Sequence, residues 1–175
     1  MDWYSTVFEL IDMRSFSNLW FWIALAVLWS SASHYVLGVP WDMITRARRG
    51  HEQAVADMNQ LAAINSRRIL YIGRESGLLM TGLIFFMLTG AMLLGWVYDR
   101  EFAQAVFLLL LPMSLVWILS VRTANHIDAQ ALTGDALISK FNRHRLLIQL
   151  IGMISIFFTA IWGMYQNMTS SALGL

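Results

Sequence analysis

A chain of 175 residues that is 58% hydrophobic and only 13% charged falls outside the composition of ordinary soluble domains. Its net charge of +1 and the lack of a basic face with interleaved aromatics argue against nucleic acid as a partner. Cysteine is absent, which excludes disulfides, thiolate metal sites, cysteine nucleophiles and palmitoylation together.

The amino terminus, Met-Asp-Trp-Tyr, lacks the basic region of a secretory signal. Residues 3–16 place Trp3, Tyr4, Val7, Phe8 and Ile11 opposite Glu9 and Asp12, a pattern that predicts a short interfacial helix on the outer membrane surface. The first long apolar run, residues 19–38, reads as a retained membrane helix. Three more follow at 77–98, 102–121 and 146–165. Each is about 20 residues, the length that crosses a hydrocarbon core of roughly 30 Å. The expected fold is therefore an all-α membrane protein, a single bundle of four transmembrane helices over residues 1–175.

Between the first two spans, Gly38 and Pro40 break the chain, and Ile44, Ala47, Val55, Met58 and Ala62 then recur at helical spacing. A helical loop over 39–76 is expected, with Gly50 as its turn signal, running directly into the second span. Asp99-Arg100-Glu101 is a tight polar turn that makes spans two and three antiparallel neighbours. Pro112 lies mid-span in the third helix and is expected to kink it. The loop over 122–145 reads as mostly helical, with a turn or helix start at Thr133-Gly134-Asp135. Asn65-Ser66-Arg67-Arg68-Ile69-Leu70 and Asn142-Arg143-His144-Arg145-Leu146-Leu147 are loosely alike. Any two basic loops returning to a membrane look so, and a duplication is not required.

Ten of the twelve Lys and Arg residues lie in these two loops; Arg14 and Arg100 are the others. The positive-inside rule then puts both loops in the cytoplasm and both termini outside. Trp20, Trp22, Trp96, Tyr98, Trp162 and Tyr165 gather at the predicted outer interface, and Tyr35, Trp41 and Tyr71 at the inner one. The expected location is a bacterial inner membrane.

Small residues mark where membrane helices approach one another, because lipid gives helices no hydrophobic reason to associate. The cleanest stripe is Gly152, Ser155, Thr159 and Gly163, suited to packing inside the bundle or against a partner subunit. The spans hold no Asp, Glu, Lys or Arg in their cores, which argues against a proton-coupled transporter. The deepest polar groups sit at the cytoplasmic edge: His34, Arg74, Glu75, Arg122, His126 and Gln149. His34 and His126 reach similar depth, so they suggest a pair of axial ligands for a b-type haem, or a quinone site, with Arg122 beside a propionate. As ordinary interface residues they would instead bond backbone or headgroups. Arg74 and Glu75 read as a clamp for a lipid headgroup or partner, or as snorkelling side chains paired with Arg122. Arg46, Arg48 and Arg49 form a cluster suited to anionic lipid or partner contact, although topology alone accounts for it. No catalytic constellation and no metal-ligand set appears.

The expected function is that of a non-enzymatic accessory, assembly or structural subunit that packs against other membrane subunits or itself. The rivals are a haem b or quinone-binding redox subunit and a small oligomeric channel or transporter component.

Overall fold

The computed structural model describes residues 15–172, with side chains through Thr169. The predicted surface helix at 3–16 lies almost wholly outside the described residues. Among the described residues, a short 3-10 turn (Ser15–Ser17) leads into six α-helices: α1 (Leu19–His34), α2 (Trp41–Arg48), α3 (Glu52–Glu75), α4 (Gly77–Met92), α5 (Glu101–Ala129) and α6 (Gly134–Ala172). A two-strand ribbon, β1 (Tyr35–Val36) and β2 (Val39–Pro40), separates α1 from α2. Three helical stretches are long and apolar enough to cross a membrane: Gly77–Val97, Glu101–Ala129 and Gly134–Thr169.

The first predicted span is shorter than expected. Its helix begins at the Asn18 cap, whose side chain accepts from the Trp20 backbone N–H, and stops at His34, so it has 16 residues rather than the whole of 19–38. Leu37 (φ +51°) and Gly38 (φ +75°) are both left-handed, the geometry of a two-residue hairpin turn, and Tyr35 pairs with Pro40. Val36, Leu37 and Val39, whose apolar character lengthened the run in the sequence, are buried against protein instead of lipid.

The loop after the hairpin is helical, broken at Gly50 (φ +85°) into α2 and α3. Helix α3 buries Ala54, Met58, Ala62, Ser66 and Leu70, one residue every four, so a single stripe faces the core. At Ser76 (φ −118°, ψ 4°) the axis changes and α4 begins at once. Helix α4 ends in a π-helical turn, Leu93–Val97. Helix α5 continues through buried Pro112, which removes one N–H from its ladder and deprives the Leu108 carbonyl of its usual donor. It then runs eight residues beyond the predicted end of the third span.

Helices α1 and α6 are antiparallel and closely matched along their lengths. A Cβ on Gly163 would lie 3.1 Å from the Phe16 ring, and one on Gly152 would lie 2.8 Å from the Trp29 indole. At the far end, Arg145 Nε donates to the Ser33 carbonyl at 3.1 Å. One apolar cluster at mid-depth joins Leu25, Trp29, Val116 and Ile148 from α1, α5 and α6. A larger one joins the hairpin, α2, α3 and the loop-side ends of α5 and α6 through Val36, Ile44, Met58, Ala124, Leu137 and Phe141. Helix α4 stands apart, with Ala91 as its buried residue, whereas α5 buries eight.

Candidate functional site

Polar groups inside the bundle fall into two layers. The first is centred on Gln104, one turn into α5 and 1% exposed. Its amide nitrogen donates to the Gly95 carbonyl at 2.7 Å and, more distantly, to Asp99 Oδ1 at 3.4 Å. Its oxygen accepts from Trp162 Nε1 at 2.9 Å and from Gln166 Nε2. A glutamine amide has two donors and two acceptor positions, and here all four are used. The π turn brings Gly95 so near that a Cβ there would lie 2.9 Å from Gln104 Cγ and 3.1 Å from its backbone nitrogen. Beside this hub, the Phe16 N–H donates to Glu101 Oε1 at 2.6 Å, Trp22 Nε1 to the Phe16 carbonyl at 3.1 Å, and Ser17 Oγ to Asn167 Oδ1 at 2.7 Å. The Trp96 ring packs on Phe107 and Trp162.

The second layer lies at the opposite end of α5. Thr123 Oγ1 and His144 Nδ1 are 3.0 Å apart, both residues buried. His144 Nε2 has no partner among the described residues, and neither has Ser66 Oγ on α3. Ser66 lies one turn from both Ala62 and Leu70, which belong to the same buried cluster as Ala124, the neighbour of Thr123 in sequence. His144 precedes the apolar stretch that starts at Leu146. Burial, reinforced by the charge of Lys140 one turn away, lowers its pKa from 6.5 to about 4, so the ring is neutral at physiological pH. Next to it, the Arg145 guanidinium lies 3.9 Å over the Trp41 ring.

Gln104 and Thr123 are 19 residues apart on one helix, about 28 Å at the α-helical rise. That separation matches a hydrocarbon core of roughly 30 Å. Between the layers, the Ser155 and Thr159 hydroxyls and Trp29 Nε1 are buried without partners among the described residues. Ser155 borders an otherwise apolar groove of about 390 Å³ between α5 and α6, together with Pro112 and Leu108. A second groove, about 540 Å³, separates α4 from α5. It runs from Leu88 and Leu111 to Gly73 and Arg122.

The residues singled out from the sequence are dispersed. His34 is exposed at the end of α1, its ring edge-on to Tyr35. His126 is half-buried on α5, and Arg122 is exposed at the mouth of the α4–α5 groove. No hydrogen bond, ring contact or ion pair joins these three among the described residues. Arg74 and Glu75 are exposed on the last turn of α3, and the pairing with Arg122 expected of them does not form. Their helix ends at Glu75, with Ser76 as its cap. Arg46 pairs with Asp42 one turn away at 3.1 Å, while Arg48 and Arg49 are exposed. Gly152, Ser155, Thr159 and Gly163 are all buried, the two glycines beneath Trp29 and Phe16.

Two residues that organise the bundle escaped the sequence reading. Gln104 is uncharged and lies inside an apolar run, and its partners are 58 and 62 residues away. No spacing pattern announces it. His144 was legible in principle. It continues the small-residue stripe toward the helix start, since Leu137, Phe141, His144, Ile148 and Gly152 succeed one another at three and four residues. Flanking Arg143 and Arg145 disguised it as part of a basic loop. No known protein family, curated protein or solved structure matches this chain.

Proposed function

We propose that this chain is a four-span protein of a bacterial inner membrane, acting as an accessory or structural subunit that holds other membrane subunits through α4. The short α1 counts as the first span because, with the turn at Ser15–Ser17, it lies alongside residues 145–163 of α6. From the first to the last of those 19 residues is about 27 Å, nearly a full hydrocarbon thickness. The observation that carries the reading is the one-sided support of α4. Its groove side turns toward α5, and away from it Leu79, Gly82, Leu83, Phe86 and Gly90 form one stripe. A Cβ on Gly82 or Gly90 would meet nothing within 4 Å, so another helix can approach there as closely as small residues permit.

Two experiments test this. Because the natural chain has no cysteine, single cysteines report topology cleanly. Tyr98→Cys should react with a membrane-impermeant thiol reagent on intact cells, and Arg49→Cys should react only after permeabilisation. Labelling of both in intact cells overturns the orientation. A photo-crosslinking amino acid at Phe86 should give discrete protein adducts in native membranes, and adducts with lipid alone overturn the subunit role.

A further inference from the structure

We propose that the groove between α4 and α5 is a binding site for one anionic phospholipid of the leaflet on the Arg122 side. An acyl chain lies along the helices and the phosphodiester meets the Arg122 guanidinium. The site is separate from the outer stripe of α4 on which the subunit reading rests.

Three features of the groove define this ligand. Its walls are apolar along most of their length, with Met80, Ile84, Phe85, Leu115 and Ile118 among the lining side chains. The Ser114 hydroxyl on the wall is already bonded to the Leu111 carbonyl at 2.6 Å, so it offers no free donor. The single charged lining residue is Arg122, and it stands at one end. It has no acidic partner among the described residues. Arg74 and Glu75, the nearest charges along α3, are one of each sign, so the net charge at the mouth is that of Arg122.

Depth selects a lipid over a helix. From Arg122 to Leu111 is 11 residues of α5, about 16 Å. That is half of a hydrocarbon core of roughly 30 Å, the thickness of one leaflet. A crossing helix would need a groove through both leaflets, and this one ends at the level of Pro112. A chain with a negative headgroup at the interface and its tail ending at the midplane fits both the length and the charge. Glycine supplies the width near the mouth. Gly73 and Gly77 line the groove, and a Cβ on either would meet nothing within 4 Å.

The test uses the full chain, purified, stripped of lipid and titrated with dioleoyl phosphatidylglycerol or dioleoyl phosphatidylcholine, with bound lipid counted by native mass spectrometry. The natural chain should retain one phosphatidylglycerol in preference to phosphatidylcholine. Arg122→Gln should reduce that preference about fivefold, the weight of one basic residue near an anionic headgroup. Gly77→Leu should lower retention of both lipids by filling the groove; its Cβ meets nothing within 4 Å, and an unchanged melting temperature checks that the fold is kept. Arg48→Gln, which removes an exposed cation elsewhere, should change neither. An unchanged preference in Arg122→Gln overturns the proposal, and so does unchanged retention in Gly77→Leu. A crosslinker at Ile118 that captures a protein instead of lipid also overturns it. These outcomes are independent of the Phe86 adducts, so the lipid site and the subunit role fail separately.

Discussion

The two polar layers of the bundle solve the same problem in opposite ways. Around Gln104 every donor and acceptor of a buried amide is used, by groups from the π turn, the following loop and α6. Around His144, one hydrogen bond to Thr123 is made, and His144 Nε2 and Ser66 Oγ are left over. In a medium without water a closed network ties helices together, while orphaned groups cost stability. The Gln104 layer is thus a clasp that joins α4, α5 and α6. The His144 layer is the weaker seam, set where the hairpin, α2 and α3 pack on the ends of α5 and α6.

That contrast is open to direct attack by mutation. The largest effect is expected from Gln104→Leu, which strands the Gly95 carbonyl and Trp162 Nε1 and removes the bond from Gln166. A loss of about 3–4 kcal/mol follows from several modest interhelical bonds and their unsatisfied remnants, readable as denaturant-induced unfolding in micelles. A loss under 1 kcal/mol would show that the layer is not a clasp.

Acid comes next. His144 has its pKa lowered to about 4 in the folded chain, against 6.5 when unfolded. Between those values the unfolded state binds more protons, so stability falls as pH drops through this window and is flat above it. The total is roughly 2–3 kcal/mol, and His144→Gln should remove the slope. A pH-independent natural chain would contradict the burial of this ring.

Gly152→Ala drives a methyl group into the Trp29 indole and should cost about 1–2 kcal/mol, while Gly77→Ala, facing open space, should cost under about 0.5 kcal/mol. Equal melting temperatures for the two would mean that α1 does not pack on α6. The last effect has the opposite sign. Ser66→Ala deletes a buried hydroxyl that has no partner, and a gain of about 0.5–1 kcal/mol is expected. If Ser66→Ala is instead destabilising, the hydroxyl has an acceptor and the His144 layer is as closed as the Gln104 layer.

Much of the architecture was visible beforehand. The runs at 77–98, 102–121 and 146–165 correspond to long apolar helices, and the loops at 39–76 and 122–145 are helical apart from short turns. Gly50 marked a real break, and Gly134 a helix start. The end of the first run was misread because Val36, Leu37 and Val39 are as apolar as any lipid-facing residues. Hydropathy does not distinguish burial in protein from burial in lipid. The expected site residues were chosen by depth and charge, and depth alone does not bring His34 and His126 into contact.

Composition and periodicity by themselves determined that this chain is helical, apolar on a membrane scale, and marked by a small-residue stripe on its last helix. Those properties are local, written in each segment without reference to the others. Tertiary structure alone decided what covers that stripe, namely Phe16 and Trp29. It alone paired Gln104 with groups about 60 residues away, and left one leaflet-deep groove beside Arg122. Each of these depends on which helix lies against which. In lipid that choice follows from side-chain shape and hydrogen-bond satisfaction, since apolarity is the same on every face.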